Sequence, residues 1–349
     1  MRVVVTGATG NVGTSVVSAL AGDPSVTSIV GLARREPDWH PAKTDWRIAD
    51  VAVDDLEPHM AGADAVIHLA WLFQPTRDPL TTWKVNALGS ARVFEAAARA
   101  RVPALVYASS VGAYSPGPKD RPVTEDWPTH GWPNASYGRE KAYVERMLDV
   151  FERDHPEIRV VRMRPGFIFK PGASAEQRRL FAGPLLPQRL VRPGVIPFVP
   201  DHPRLRFQAL HADDMGEAYR LAVTRPVSGA FNVAAEPVID PRVLAEVFGT
   251  RTVTMPGWVL RNAVAVAWRM RMIPASPYLV EMVLKMPIMD VTRARTELGW
   301  EPRYSAVDAL KALVEGMHEP SGPMTPPLSP RTGGPARLRE LVTGIGRRP

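Results

Sequence analysis

The first thirteen residues place the tightest constraint on the fold. A β-branched run at residues 2–6 leads into Thr6-Gly7-Ala8-Thr9-Gly10-Asn11-Val12-Gly13, and a helical pattern follows over residues 11–21. Glycines spaced in this way, between a buried strand and a helix, allow a tight turn and a close approach of the backbone to a pyrophosphate. The helix N-terminus adds N–H groups that favour a phosphate. The pattern predicts a dinucleotide site, although a glycine-rich turn without a ligand would look the same.

Short apolar strands and helices then alternate along the chain. Strands are predicted at residues 2–6, 27–33, 46–49, 65–69, 104–108 and 158–163, and the longest helices between them at residues 79–100 and 136–153. Parallel strands need crossover connections of this length, which are usually helices. We therefore predict an α/β fold with a doubly wound parallel sheet of the Rossmann type.

The composition of the sequence changes after Arg164: Pro and Gly become more frequent, and the predicted helical segments become shorter. We place a dinucleotide-binding domain at residues 1–165 and a smaller, mixed C-terminal substrate lobe at residues 166–318. Strands expected at residues 205–210 and 230–233 could rejoin the main sheet. Residues 319–349 lack periodicity and are rich in Pro, Gly, Ser and Arg, which predicts a mobile tail.

Composition excludes several classes of protein. Apolar residues make up 45% of the chain and charged residues 23%, as in an ordinary soluble globular protein. There is no Cys, so disulfides, a catalytic thiol and thiolate metal sites are excluded, and no His, Asp and Glu cluster has the spacing of a metal site. No apolar run is long enough to span a bilayer, and the N-terminus enters a strand at once. We therefore expect no metal, no membrane span and a cytoplasmic location.

The net charge of +7 is unevenly distributed. Residues 159–206 carry nine Arg and one Lys against two carboxylates, and residues 331–349 carry five Arg against one Glu. No basic run interleaved with aromatic residues accompanies this charge, so nucleic acid is not an expected partner. The block at residues 159–206 either is a solvated basic surface or faces an anionic ligand.

The end of the second predicted strand bears on the choice between NAD and NADP. A carboxylate that binds the ribose 2′-hydroxyl is expected about 20 residues beyond the glycines. That position is Ala33, and Arg34 and Arg35 follow it. A guanidinium matches the geometry of a phosphate. We therefore favour NADP(H) over NAD, with Arg34 binding the 2′-phosphate, although both arginines could be ordinary surface residues.

A second pattern suggests acid–base chemistry. Tyr137 lies four residues before Lys141 in a predicted helix, so their side chains share a face. A nearby ammonium favours the phenolate and is expected to lower the phenol's pKa from about 10. Ser110 follows the fifth strand, at the edge where ligands of parallel sheets bind. These three residues could exchange a proton with a substrate oxygen beside a nicotinamide.

In order and spacing, the motifs over residues 1–316 resemble the extended short-chain dehydrogenase/reductase family. The glycine turn fits TGxxGxxG, and Tyr137 with Lys141 fits YxxxK. The other matches are Asp50-Val51, His68-Leu69-Ala70-Trp71, Val85-Asn86 with Gly89, Ser109-Ser110 with Tyr114, His211-Ala212-Asp213-Asp214, and Leu298-Gly299-Trp300 with Pro302.

The resemblance implies roles for particular residues. Ser110, Tyr137 and Lys141 would be catalytic, and Lys141 would also bind the nicotinamide ribose. Cofactor contacts would come from Gly7, Thr9, Gly10, Asn11, Val12, Gly13, Arg34, Asp50, Val51, Leu69, Ala70, Tyr137, Lys141 and Pro165. His68 is expected to pack near the cofactor rather than to take part in catalysis. Relatives often pair through the helices at residues 79–100 and 136–153, which suggests a homodimer by analogy.

Two departures from the family pattern concern the substrate. Nucleotide-sugar members carry RxxNxYGP after the sixth strand, and Phe167 stands here in place of its Asn. Their RDFxHV stretch is not reproduced, because Arg206 lies one residue out of step. We therefore put first an NADP(H)-dependent reductase or dehydrogenase acting on a small-molecule carbonyl or secondary alcohol, either anionic or apolar. A nucleotide-sugar epimerase or dehydratase with tightly bound NAD is the second hypothesis. A non-catalytic dinucleotide-binding regulator is the third.

Overall fold

The computed structural model describes residues 1–73, 77–181, 196–270, 273, 275–317 and 325–329, and the side chains of residues 178–181 are outside the description. Most of the tail expected at residues 319–349 lies outside the described residues, as do parts of the C-terminal lobe expected at residues 166–318.

The centre of the fold is a seven-stranded sheet in the order β11-β7-β5-β4-β1-β2-β3, with every neighbouring pair parallel. This confirms the predicted doubly wound sheet. Its strands are β1 (Arg2–Thr6), β2 (Ser28–Ala33), β3 (Thr44–Ile48), β4 (Ala65–His68), β5 (Ala104–Ala108), β7 (Arg159–Pro165) and β11 (Gly229–Val233).

Helices cover both faces of this sheet. The helices of the described residues are α1 (Asn11–Gly22), α2 (Glu57–Met60), α3 (Pro79–Trp83), α4 (Gly89–Arg99), α5 (Ser136–Asp154), α6 (Ser174–Phe181), α7 (Ala212–Thr224), α8 (Pro241–Val247), α9 (Gly257–Arg269), α10 (Pro277–Lys285), α11 (Thr292–Thr296) and α12 (Ala306–Gly316), of which α1 and α7 pack on one face of the sheet and α4 and α5 on the other. Successive side chains of a strand point to opposite faces. Val3 and Val5 accordingly pack in one core with α1 and α7, and Val4 packs in a second core with α4 and α5.

Smaller sheets lie beside the main one. β12 (Ala235–Ile239), β10 (Phe207–His211) and β8 (Phe167–Phe169) form a mixed three-stranded sheet. β13 (Thr252–Thr254) pairs with β9 (Val199–Asp201), and β14 (Ile288–Met289) pairs with β6 (Pro122–Val123). Of the two strands that could have rejoined the main sheet, only the one predicted at 230–233 does so, as β11. The strand predicted at 205–210 pairs with β8 and β12 instead.

Two details of the helices matter for the site. The helix predicted over residues 79–100 is interrupted by a π-helical turn at Lys84–Leu88. α12 begins with a capping box, in which the Ser305 hydroxyl and the Asp308 carboxylate each accept a hydrogen bond from the other residue's backbone N–H. Among the helices that the structure describes, none is both long and apolar enough to cross a membrane.

Residues 325–329 differ from the mobile tail predicted for residues 319–349. Thr325 and Leu328 are both buried, and the Thr325 hydroxyl donates a hydrogen bond to the Thr9 carbonyl. This contact joins positions 316 residues apart. The prediction of a mobile tail rested on local composition alone, which cannot reveal so distant a partner.

Candidate active site

The glycine turn has the close backbone packing that its spacing predicts. Gly7 has φ +70°, which favours glycine, and a Cβ there would lie 2.7 Å from the Ala70 nitrogen. A Cβ on Gly13 would lie 2.3 Å from the Gly7 oxygen. Gly10 caps α1 without any side-chain hydrogen bond to the helix N-terminus. The turn and the start of α1 therefore form a cradle that fits a pyrophosphate.

A pocket opens at the carboxyl edge of the sheet above this turn. Its walls come from both sides of β1, from the ends of β2 and β4, and from residues far along the chain. The lining residues are Gly7, Thr9, Gly10, Leu32, Ala33, Arg34, Arg35, Ala49, Asp50, Val51, Leu69, Ala70, Trp71, Leu72, Val85, Glu176, Pro326 and Pro327.

Eight of the predicted cofactor contacts line this pocket: Gly7, Thr9, Gly10, Arg34, Asp50, Val51, Leu69 and Ala70. The other predicted contacts, Asn11, Val12, Gly13, Tyr137, Lys141 and Pro165, do not. The Asn11 amide instead donates to the Ile168 carbonyl at 3.2 Å, and Pro165 is buried at the end of β7, where it pairs with Val233 of β11. The cofactor roles of all these residues, including those that line the pocket, stay predictions.

His68 lies beneath the pocket in a chain of hydrogen bonds. Its Nδ1 is 2.7 Å from the Thr6 hydroxyl, and its Nε2 is 2.9 Å from the Ser90 hydroxyl, which donates to the Asn86 carbonyl. Burial lowers the pKa of His68 to about 3, so the ring is neutral. The ring also packs edge-on against Phe94. This arrangement matches the packed histidine that we expected.

Asn86 and Glu140 fix the wall of the pocket beside Trp71. The Asn86 side chain accepts a hydrogen bond from the Leu72 N–H at 2.7 Å and donates to the Leu72 carbonyl at 2.8 Å. It also donates to Glu140, whose other carboxylate oxygen accepts from Thr82 at 2.6 Å. Asn86 and Glu140 are buried, so these contacts replace water that neither residue can reach.

Ser110, Tyr137 and Lys141 come together beyond this wall. Tyr137 and Lys141 project from α5, and Ser110 follows β5 and caps a short 3₁₀ turn at Val111–Ala113. Ser110 is within hydrogen-bonding contact of the Tyr137 phenol. A Cβ on Gly112 would lie 2.8 Å from the Tyr137 ring, so the backbone there packs directly against it.

The charges around Tyr137 differ from those expected. The Lys141 ammonium donates to the Ala108 carbonyl at 2.5 Å and lies 3.4 Å from the centre of the Trp71 ring, but 5.9 Å from that of Tyr137. Burial raises the pKa of Tyr137, and the contact with Ser110 opposes this only in part. Burial also holds the pKa of Lys141 well below its usual range. The expected lowering of the Tyr137 pKa by Lys141 is therefore wrong for this structure, because desolvation outweighs the distant ammonium.

Trp71 connects the pocket to these three residues. Its ring lines the pocket, lies over Lys141 and meets the Tyr137 ring edge-on at 5.9 Å. Phe73 contacts the other side of Tyr137, with ring centroids 5.1 Å apart. Tyr137 is not itself among the residues that line the pocket, and Trp71 lies between the pocket and the phenol.

A buried ionic network holds Ser109, the residue before Ser110, and sequence reasoning missed it. The Arg164 guanidinium binds both oxygens of Glu145, at 2.9 and 3.0 Å, and Ser109 donates to the same carboxylate at 2.5 Å. Arg162 also contacts Glu145, at 3.2 Å. These partners hold the pKa of Glu145 at about 2 although its burial acts in the opposite direction. The carboxylate is thus charged at neutral pH and pairs with two arginines of the basic block, of which Arg162 is also paired with Asp149 and Glu152.

Three phenylalanine rings of the smaller mixed sheet pack against one another. Phe167 and Phe169 of β8 are stacked with centroids 6.3 Å apart, and Phe207 of β10 meets Phe167 edge-on at 5.0 Å. All three are only partly buried. Phe167 also packs against the cluster that contains Val111 and Tyr114, next to Ser110. No group of three or more His, Cys, Asp or Glu residues that could hold a metal ion occurs in the part of the chain that the structure describes.

The sequence matches the model of the NAD dependent epimerase/dehydratase family over residues 3–234. An uncharacterised protein of Mycobacterium tuberculosis (strain H37Rv) is 27% identical over 314 residues, which are 89% of this chain but 29% of that protein. The chain thus spans less than a third of the length of this relative. The UDP-glucose 4-epimerase of Mycolicibacterium smegmatis is 26% identical over 334 residues, or 90% of this chain and 98% of that enzyme.

Solved structures agree with the fold. MoeE5 in complex with UDP-glucuronic acid and NAD aligns with a TM-score of 0.68 at 21% identity, over 91% of this chain and 99% of that one. The UDP-glucose 4-epimerase of Thermus thermophilus in complex with NAD aligns with a TM-score of 0.66 at 20% identity, over 92% and 100%. The family match covers most of the motifs on which the resemblance was based and confirms it. The chain therefore belongs to the NAD dependent epimerase/dehydratase family.

Proposed function

We propose that this protein transfers a hydride between a nicotinamide dinucleotide and a carbonyl or secondary alcohol, with Tyr137 as the acid and base. The observation that carries the proposal is the placement of the Tyr137 phenol beside Ser110, one ring away from the pocket at the glycine turn, with Trp71 in contact with both the pocket and the phenol. A phenol at this point can reach a substrate oxygen while the cofactor occupies the pocket.

The raised pKa of Tyr137 suits the reduction direction. A phenol whose pKa is raised by burial is protonated at neutral pH and is ready to donate its proton. In reduction, a hydride reaches the carbonyl carbon, the C=O π bond opens, and the oxygen takes the Tyr137 proton to give an alcohol. The bound dinucleotide supplies that hydride. The Ser110 hydroxyl would hold the same oxygen as its negative charge develops.

After reduction, the Tyr137 phenolate would regain its proton from water. Lys141 would hold the nicotinamide ribose rather than supply that proton, because its ammonium donates to the Ala108 carbonyl and lies 5.9 Å from the centre of the Tyr137 ring. In the oxidation direction each step reverses, and Tyr137 accepts the alcohol proton as the hydride leaves.

The adenosine end of the pocket favours a 2′-phosphate. Arg34 and Arg35 follow β2, are exposed and line the pocket opposite Asp50. Ala33 occupies the sequence position from which a carboxylate would bind a free 2′-hydroxyl. We therefore assign NADP(H) as the preferred cofactor, with Arg34 as the phosphate ligand.

Turnover with purified full-length protein tests the proposal. NADPH or NADH is mixed with aldehydes and ketones, some apolar and some carrying a carboxylate, and loss of the reduced cofactor is followed by absorbance. Tyr137→Phe is expected to bind cofactor normally and to lose about a thousandfold in kcat. Tyr143→Phe, an exposed tyrosine on the same helix, is the matched control. Equal turnover by Tyr137→Phe and the control would remove the proposal.

Epimerisation of a nucleotide sugar is the second candidate, favoured by the 26% identity with the M. smegmatis UDP-glucose 4-epimerase over nearly its whole length. Such a reaction uses the same proton transfer twice, once in each direction, with the hydride returned to the opposite face. Incubation with UDP-glucose and NAD, followed by separation of the sugars, tests it. Formation of UDP-galactose without net NADH would replace the first proposal by this one.

A further inference from the structure

Residues 325–329, which we name the C-terminal strap, form a compact turn on the surface of the glycine loop. The backbone N–H groups of Leu328 and Ser329 both donate to the Thr325 carbonyl, at 3.0 and 2.9 Å. Thr325 is 0% exposed and Leu328 is 2% exposed. The strap is therefore held by two buried side chains, which we call its polar anchor (Thr325) and its apolar anchor (Leu328).

The polar anchor joins the strap to the proposed phosphate cradle. The Thr325 hydroxyl donates to the Thr9 carbonyl at 2.7 Å, and Thr9 precedes Gly10, which caps α1. The strap thus takes a carbonyl of the turn and none of the N–H groups that would bind a pyrophosphate. The site can keep its anion-binding groups while the strap is bound.

Pro326 and Pro327 lie between the two anchors and face the pocket. They line it together with Gly7, Arg34 and Asp50, so the strap spans the wall between the glycine turn and the adenosine end. Proline has a restricted φ and little conformational freedom to lose, which suits a rigid wall. The strap lines the pocket and does not fill it.

The composition of the strap also argues against competition with the cofactor. Its sequence, Thr-Pro-Pro-Leu-Ser, contains no carboxylate. A segment that displaced a dinucleotide from an anion cradle would need a negative group to occupy that cradle. An uncharged apolar wall would instead exclude water from a bound pyrophosphate and strengthen its contacts with the turn.

We propose that the C-terminal strap is part of the dinucleotide site and retains the bound cofactor, so that dissociation requires the strap to leave Thr9. This inference rests on the proposed function, because it assumes that the pocket takes a nicotinamide dinucleotide. The strap adds a determinant of cofactor residence time that comes from the far end of the chain.

The test uses the full-length chain with Leu328→Asp, which places a carboxylate in a buried position and detaches the strap. Bound NADPH is displaced by excess unlabelled NADP, and its dissociation rate is followed by nucleotide fluorescence. We expect dissociation about tenfold faster than in wild type. Thr325→Val keeps the side-chain volume and removes the hydroxyl donor. It is expected to make NADPH dissociate about threefold faster than from wild type. Leu80→Asp, at a leucine that is 74% exposed, is the control and should leave the rate unchanged.

The absence of cysteine in the chain permits a second measurement that does not depend on the stability of Leu328→Asp. Pro326→Cys introduces a single thiol at the pocket wall, and its reaction with a thiol reagent should slow about fivefold when NADPH is saturating, because a bound cofactor blocks access to the wall. Leu80→Cys should show no such protection.

The outcomes separate the two proposals. Wild-type rates in both strap variants, or a thiol in Pro326→Cys that NADPH does not protect, would overturn the strap proposal alone. Tighter binding of NADPH by Leu328→Asp would also overturn it, because the strap would then compete with the cofactor. Failure of wild type to bind either NADPH or NADH would overturn the proposed function and this inference together.

Discussion

The two sides of the cleft are built by different forces. The cofactor side is held by buried polar groups, each with a defined partner: His68 between two hydroxyls, Asn86 on the backbone of Leu72, and Glu145 on two arginines. The side that we propose for the substrate is formed by aromatic rings that are partly exposed, with Phe167 between Phe169 and Phe207. Directional bonds impose one geometry, whereas apolar contacts permit repacking.

The difference suits the two ligands. A dinucleotide has a fixed shape and is served by a rigid cradle, while the substrate side decides which molecules enter. Substitutions on the cofactor side are therefore expected to change stability and cofactor binding. Substitutions on the substrate side are expected to change substrate preference and to affect stability little. The predictions below test this contrast, beginning with the largest effect.

Glu145→Gln should produce the largest loss of stability. Its folded pKa of about 2 lies below the ordinary value of 4.5, so the unfolded carboxyl binds protons more tightly. The stabilisation is complete above about pH 4.5 and is lost as the pH falls towards 2. It corresponds to about 3 kcal/mol at neutral pH. Urea unfolding at pH 7 should show that loss, and the difference from wild type should shrink as the pH falls below the ordinary pKa of the carboxyl.

The control is Glu297→Gln, which breaks an exposed ion pair with Arg293 of 3.0 Å. Its effect on the free energy of unfolding should stay below about 1 kcal/mol at every pH. Equal effects of the two substitutions would mean that the buried network contributes no more than a surface pair and would remove the contrast between the two sides.

Asn86→Ala should cause the next largest loss of stability, and it should also weaken cofactor binding. The substitution leaves the N–H and the carbonyl of Leu72 without their partner, and Glu140 loses one donor. We expect a loss of about 2 kcal/mol in the free energy of unfolding. NADPH binding should also weaken, because Leu72 lines the pocket. Asn262→Ala, on an exposed face of α9, is the control for both measurements.

The sequence was sufficient for the parts of the molecule whose pattern is local. The glycine turn, the strands and the pairing of Tyr137 with Lys141 on one helix all follow from spacing within a few residues. The Arg164–Glu145 pair does not, because nothing near either residue specifies the partner 19 positions away. The direction of the Tyr137 pKa shift depends on burial by Trp71 and Phe73, whose positions are set by tertiary packing.

The C-terminal strap shows the same limit of local sequence patterns, here for a segment that they predict to be disordered. Residues 325–329 have the composition of a disordered segment, and their local propensities predict no structure. Their order comes from a hydrogen bond to Thr9 and from burial of Leu328, which become available only once the glycine turn has formed. β10 illustrates the point as well, since its strand pattern was clear but its partners β8 and β12 were not.

Arg34→Ser tests the adenosine end of the cofactor side. If Arg34 binds a 2′-phosphate, the loss of one charge-assisted contact should weaken NADPH about tenfold. The affinity for NADH should not change, because NADH lacks that phosphate. Arg47→Ser, at an exposed arginine of β3, is the control. An equal loss for both dinucleotides, or a wild type that already prefers NADH, would show that Arg34 does not select NADPH.

The same change, Phe to Leu, can be made once on each side of the cleft. It is expected to give the smallest effects on stability and the most direct comparison of the two sides. Phe94 is 3% exposed beneath the cofactor side, edge-on to His68 and Tyr107, whereas Phe167 is partly exposed in the cleft. Phe94→Leu should lower the free energy of unfolding by about 1.5 kcal/mol and leave substrate KM unchanged.

Phe167→Leu should lower the free energy of unfolding by about 0.5 kcal/mol, because its neighbours can repack and water already reaches the ring. Its KM for an apolar carbonyl substrate should rise about threefold, since the ring would contact that substrate directly. Thermal unfolding and initial rates on the same two proteins check both expectations. A larger stability loss for Phe167→Leu than for Phe94→Leu, with KM unaltered, would place Phe167 in the core and leave the substrate side without its aromatic wall.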